Sequence, residues 1–273
     1  MNMPFKGEGA KKSWLINMRR LKDQLSLLGG LRPRWSTLLQ LFLICVLIIT
    51  RPVFEISNSA HLLESFISSI ETKTQYIGID VSHYQGVIDW ASVTPHQDFI
   101  FIKATDGKSN VDPRFHENAS SLEGFSVPTG AYHFFEPSDD PIEQAKNYLQ
   151  QINQYSLGLR PVLDIEISSG VSPEIIAKNA LSWLKYVEEK TGCQPIIYTY
   201  SDYWNQYLGK DFNQYGYWLA DYNKDPVLPS SRTSWQIWQY TDRGRISGLN
   251  NVVDQDIFQG TKDEFNNLFC HAA

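Results

Sequence analysis

Arg160-Pro161-Val162-Leu163-Asp164-Ile165-Glu166-Ile167 places an apolar run behind a proline and interrupts it with two acids. Val162, Leu163, Ile165 and Ile167 read as a short buried strand. Side chains alternate faces along a strand, so Asp164 and Glu166 point the same way and Ile165 points to the other side. Their β-carbons then lie roughly 6–7 Å apart. Two like charges at that spacing, at the end of a hydrophobic strand, raise the proton affinity of at least one of them. One carboxyl that keeps its proton beside one that does not is the arrangement acid/base chemistry needs. An isolated Asp-x-Glu is more often a pair of solvated loop residues or of ion-pair partners, so the surrounding chain has to decide.

On both sides of that stretch strands alternate with helices. Strands are expected at Tyr76–Val81, Asp98–Ala104 and Thr129–Phe135 before it, and at Pro195–Tyr200, Gly216–Ala220, Trp235–Tyr240 and Val252–Phe258 after it. A helix is expected over Pro113–Glu123. The next starts at Asp140, with Pro141 at its first position and Glu143 where a capping box places an acid. Ile142, Ala145, Leu149 and Ile152 form its apolar stripe. Ser172-Pro173-Glu174 opens another, with Ile176, Ala180, Trp183, Leu184 and Val187 on one face and Gly192 as its C-cap. Thr261–Phe269 is a closing helix. Helices are well formed early and sparse late. The pattern predicts an α/β fold: a single incomplete (β/α) barrel with a largely parallel sheet, of the TIM-like kind, whose second half has lost helices.

The chain has 273 residues, 42% hydrophobic and 13% aromatic, enough for one sizeable core plus appendages. Its net charge of −6 is unevenly spread. Before Trp35, eight bases outnumber two acids, so the leader carries +6 and the remainder −12. A remainder that acidic has no basic patch to neutralise phosphates, which excludes nucleic acid as a partner. No Cys/His spacing resembles a zinc site, and no cofactor motif is present. Cys193 and Cys270 read equally well as a disulfide or as separate thiols.

Thr37-Leu38-Leu39-Gln40-Leu41-Phe42-Leu43-Ile44-Cys45-Val46-Leu47-Ile48-Ile49 is apolar but for Gln40. Flanking residues extend it to 36–54, long enough for one transmembrane segment. No small-x-small cleavage site follows, which favours an uncleaved signal anchor over a removed leader. The basic stretch 1–35 then stays cytoplasmic and everything after Phe54 lies outside the cytoplasm, periplasmic or extracellular. Residues 55–74 read as a linker, with Leu62, Leu63, Phe66, Ile67 and Ile70 at helical spacing, and 75–270 as the catalytic domain.

In a β/α barrel the reactive groups stand at the C-terminal strand ends. Asp80, Tyr132, His133, Asp164, Glu166, Tyr198, Tyr200, Asp221, Trp238, Tyr240 and Asp254 all converge there. Acids among aromatic rings suit a carbohydrate, because rings stack on sugar faces while carboxylates take hydroxyls or move protons. Each aromatic taken alone is more often core, and that remains the better reading for Phe134, Phe135 and Trp183.

Gly78-Ile79-Asp80-Val81-Ser82-His83-Tyr84-Gln85-Gly86 with Ile88-Asp89-Trp90 resembles the opening motif of glycoside hydrolase family 25, the cell-wall lysozymes or N-acetylmuramidases. Phe101-Ile102-Lys103-Ala104-Thr105-Asp106-Gly107, Gly130-Ala131-Tyr132-His133-Phe134, Val162-Leu163-Asp164-Ile165-Glu166 and Ile197-Tyr198-Thr199-Tyr200 match its later blocks in order. Trp218-Leu219-Ala220-Asp221-Tyr222, Trp235-Gln236-Ile237-Trp238-Gln239-Tyr240 and Val253-Asp254-Gln255-Asp256-Ile257-Phe258-Gln259-Gly260 complete the series. The resemblance implies a flattened, incomplete β/α barrel that cleaves the β-1,4 bond between N-acetylmuramic acid and N-acetylglucosamine in peptidoglycan, without cofactor or metal. It implies Glu166 as general acid and then base, and Asp164 either as nucleophile or as holder of the substrate's N-acetyl group. Asp80 and Asp254 take substrate-binding positions, with Tyr132, Tyr198, Tyr200 and Trp238 as sugar contacts. Two positions depart from the pattern: Tyr84 stands where Trp is common, and Asp256 where Asn is common. A cell-wall-binding module without catalysis and a chitinase-like hydrolase are the alternatives such a scaffold leaves open.

Overall fold

The computed structural model describes residues 74–270. The basic leader 1–35, the apolar segment 36–54 and all but the last residue of the 55–74 linker lie outside the described residues. Among the described residues no helix is long and apolar enough to cross a membrane.

The strands are β1 (Thr74–Val81), β2 (Phe99–Asp106), β3 (Asn110–Val111), β4 (Thr129–Phe134), β5 (Val162–Asp164), β6 (Ile196–Thr199), β7 (Gly216–Ala220), β8 (Ile237–Gly244) and β9 (Val253–Gly260). They hydrogen-bond in the order β1-β9-β8-β7-β6-β5-β4-β2-β3, and β1 also pairs with β2. Eight strands therefore close a ring, with β3 a two-residue edge on β2. The expected incompleteness is corrected here: the hydrogen-bonded ring is whole, and what is missing is part of the helical layer. The sheet is also mixed, because β9 runs antiparallel to both β8 and β1 while the other neighbours in the ring are parallel. Only residues 245–252 join β8 to β9, too few for the crossover a parallel return requires, so the chain turns back as a hairpin.

The helices are α1 (Trp90–Val93), α2 (Phe115–Leu122), α3 (Pro141–Ile152), α4 (Pro173–Thr191), α5 (Ser201–Tyr203) and α6 (Lys262–Asn266). Asp140 caps α3 by accepting from the amides of Ile142 (2.9 Å) and Glu143 (3.0 Å). Glu143 pairs instead with Lys146, so the expected reciprocal box is absent there. α4 ends at Gly192, whose φ of 70° is the left-handed conformation glycine adopts without steric cost. A complete capping box does form at α6, between Thr261 and Glu264. Between β6 and β7 the chain makes only irregular helical turns over residues 201–212, and between β7 and β8 it makes no helix.

Strand alternation sorts the apolar side chains into two layers. Ile79, Ile100, Ile102, Leu163, Ile165, Ile197 and Leu219 face outward under α2, α3 and α4, where Phe115, Tyr148, Trp183 and Leu184 meet them. Phe99, Phe101, Val162, Ile196, Trp218, Ile237 and Phe258 fill the ring, sealed below by Phe265 and Leu268. Gly78 and Gly130 stand where a β-carbon would run into the rings of Phe99 and Phe101, so absent side chains on two strands make room for phenylalanines from β2. The lower barrel is thus an aromatic plug. Above it, at the C-terminal ends of the parallel strands, the inward positions turn polar.

Candidate active site

Asp164 is the last residue of β5, and its backbone is held from both sides. Its carbonyl accepts from Phe135 N at 2.8 Å, and Ile165 N donates to Tyr198 O at 3.0 Å. Ile165 is buried in the outer layer, so Glu166 comes round to the same side as Asp164 although the strand has already ended. Two tyrosines fix the following turn: Tyr200 OH donates to Glu166 O at 3.3 Å and Tyr203 OH to Ile167 O at 2.8 Å.

Asp164 and Glu166 line the same cleft, and each acts on the other's proton affinity. Burial pushes the Asp164 carboxyl well above the usual carboxylate range, and the charge of Glu166 adds to that. Burial raises Glu166 as well, opposed by its neighbour Asp164 and by the charge of Lys103. Lys103, on β2, is the cation that acts on both. Its ammonium is fixed by Asp106 Oδ2 at 2.8 Å and lies 4.6 Å from the centre of the Phe134 ring.

Asp80, the last residue but one of β1, lies opposite Asp254 on β9. Its Oδ2 accepts from Gln239 Nε2 at 2.7 Å, while Gln239 Oε1 accepts from Tyr198 OH (2.9 Å) and Tyr222 OH (2.8 Å). Asp254 is only partly buried, and burial with the charges of Asp242 and Glu166 pushes it up to about 6. Over these groups lies an open cleft of about 230 Å³ lined by Asp80, Tyr132, Asp164, Glu166, Tyr198 and Asp254, and further by Val162, Trp218, Tyr222 and Gln239. Burial and the surrounding acids raise the Tyr132 and Tyr198 hydroxyls, which keeps both rings neutral donors. Among the described residues no group of His, Cys, Asp and Glu is placed to hold a metal ion.

Six of the eight expected site residues therefore meet in one cleft. Tyr200 sits at its rim, half exposed, and reaches the Glu166 backbone. Trp238 does not line it: the indole faces the outer layer and donates from Nε1 to Asp221 O at 2.6 Å. His133 is likewise outside, buried and stacked on Trp183 with ring centres 5.4 Å apart. Asp221 organises the turn after β7, accepting from Val227 N at 2.8 Å and from Asn223 N at 2.9 Å. Gln239, Trp218 and Tyr222 were not expected.

A closed barrel whose C-terminal rim presents coupled acids among tyrosines is the build of a carboxylate-dependent glycoside hydrolase. The chain belongs to glycosyl hydrolases family 25, whose model matches residues 79–249. It is 38% identical over 209 residues to the uncharacterized protein YegX of Escherichia coli K12, covering 74% of this chain and 76% of that one. Lysozyme M1 of Streptomyces globisporus is 31% identical over 199 residues, 67% of this chain and 68% of the relative. Among solved structures, a family 25 glycosyl hydrolase from Bacillus anthracis superposes with a TM-score of 0.65 at 31% identity, covering 70% of this chain and 92% of that one.

Proposed function

We propose that the chain is a muramidase that cleaves the β-1,4 bond between N-acetylmuramic acid and N-acetylglucosamine in peptidoglycan. The observation that carries this reading is the buried Asp164 beside Glu166 in an open, tyrosine-lined cleft that Asp80 and Asp254 also line. The likeness to Lysozyme M1 supports the choice of substrate.

Glu166 is the general acid. It is less buried than Asp164 and faces the cleft, so its proton reaches the leaving oxygen, and it accepts a proton from water in the second half of the reaction. Asp164, buried beside it at the end of β5, acts as the nucleophile or orients the substrate's N-acetyl group for internal attack. Asp80 and Asp254 bind the sugar hydroxyls from the opposite wall, with Tyr132 and Tyr198 as neutral donors and Tyr200 at the rim. The catalytic domain acts outside the cytoplasm, tethered to the membrane by the apolar segment 36–54. Supporting this, the basic charge precedes that segment, and Cys193 and Cys270 form a disulfide, a bond that persists in oxidising compartments.

The test is Glu166→Gln. Release of reducing sugar from purified peptidoglycan should fall by about 10³-fold or more with the fold intact, since a general acid contributes roughly 10²–10⁴-fold. Mass analysis of the products identifies the bond cut. Turnover of chitin oligomers in preference to peptidoglycan would make the enzyme chitinase-like, and a fully active Gln variant would remove Glu166 from the chemistry.

A further inference from the structure

Asp256 is not used by the reaction just described, yet no part of it is exposed to solvent. In the ring it pairs with Gly78 on β1 and with Gln239 on β8, so its side chain lies diagonally beside Asp80 and directly beside the glutamine that holds Asp80. One oxygen, Oδ1, accepts from Trp218 Nε1 at 2.9 Å. The other, Oδ2, is buried with no hydrogen-bond partner, and the Asp80 carboxyl acts on this side chain from the neighbouring strand. Two facing carboxylates have only acceptors to offer each other. A proton between them removes the conflict.

The charges around the pair agree. From β9 it faces Asp254, from the far side of the cleft Asp164, and from β7 and β8 only the neutral Trp218 and Gln239. Among the described residues neither acid is paired with a cation, whereas the charge of Lys103 acts on both Asp164 and Glu166. The Gln239 amide is spent on Asp80, which also opens to the cleft, so Asp80 is the better place for the charge.

We propose that Asp256 is a positioning residue held as the neutral acid, donating from Oδ2 to Asp80, so that Asp80 meets substrate as a singly charged, doubly anchored carboxylate and the loss of the Asp256 proton sets the alkaline limit of the site. The part concerning activity rests on the muramidase reading; the protonation of Asp256 does not. Burial raises both carboxyls, and the charge of Asp254 adds to it at each; the charge of Asp256 also raises Asp80, while the contacts with Trp218 and Asp80 draw Asp256 part of the way back.

Asp256→Asn in the full chain is the test, because an amide donates as the acid does but cannot ionise. An acid whose folded value is raised stabilises fully at low pH and loses that contribution as pH rises through the folded value. Asn should therefore gain on the wild type from about pH 4 upward, its Tm advantage growing by roughly 3 °C per pH unit until the wild-type proton leaves. A gap that stays constant or narrows with pH, or an Asn chain that fails to fold, overturns the proposal whether or not the protein cuts peptidoglycan. In activity, Asn should move the alkaline limb of the pH profile upward by about one unit or more, while Asp256→Leu lowers kcat/KM about tenfold at every pH for want of the donor. An unmoved limb, or Leu and Asn behaving alike, removes Asp256 from the site's operation.

Discussion

His133 illustrates what one residue does when it is near the chemistry but not part of it. Its Nδ1 accepts from Thr105 Oγ1 at 2.7 Å and its Nε2 donates to Gln144 Oε1 at 3.0 Å, a carbonyl that also takes the Glu136 amide at 2.9 Å. Burial lowers the imidazole to about 4. A histidine kept neutral by the fold contributes stability above its ordinary value of 6.5, and that contribution is lost as pH falls from there toward 4. The loss is about 3 kcal/mol over that window. His133→Gln, which cannot charge, should be less stable than wild type at pH 7 but should lose about 3 kcal/mol less between pH 7 and 4 in urea titrations. Parallel losses in the two proteins would show that His133 is not the group responsible. In the sequence, Tyr132-His133-Phe134 gave no means of telling which neighbour faced the cleft, since the strand is buried on both sides. The same ambiguity misplaced Trp238. In Ile237-Trp238-Gln239-Tyr240 either alternate set could face inward, and it is Gln239, level with Asp256, that does. Asp164 and Glu166 were legible because Ile165 between them had an unambiguous apolar partner layer.

Elements were read best where local chemistry dictates a boundary. Asp140-Pro141 and Gly192 mark helix ends through backbone hydrogen bonding and φ alone, and both ends fall where expected. The stretch between β6 and β7 was not legible as turns, because its order comes from Trp204 and Tyr217 packing ring on ring, 4.6 Å apart, and not from periodicity. Cysteine pairing was equally out of reach, since it depends on α6 bringing the chain's end back to the loop after α4. Cys193 and Cys270 are bonded with their Cα atoms 5.5 Å apart and a separation of 77 in sequence. Closing a loop of that length in the unfolded chain is worth about 4 kcal/mol. Replacing both cysteines by alanine should lower the guanidinium midpoint accordingly. Reductant should bring the wild type down to the same value and leave the double variant where it is. If the two proteins unfold together before reduction, the bond adds nothing to the fold.

For the whole molecule, the alternation of strands and helices gave the barrel, and the short 245–252 connection was the overlooked sign that the last strand must return antiparallel. That reversal has a geometric outcome. β1 enters the ring from the plugged end, and β9 runs from the rim down to that same end before α6 covers it. Head and tail of the barrel therefore emerge together on the side away from the cleft. An enzyme captured on a bead by a tag at Ala273, or by a tag placed directly before Thr74, should turn over soluble glycan fragments at comparable rates, both read as product released per mole of protein. A large deficit for only one of the two orientations would mean that the emerging chain wraps round to the open side. With both ends of the barrel opposite the cleft, attachment through either end leaves the mouth of the cleft facing away from the support.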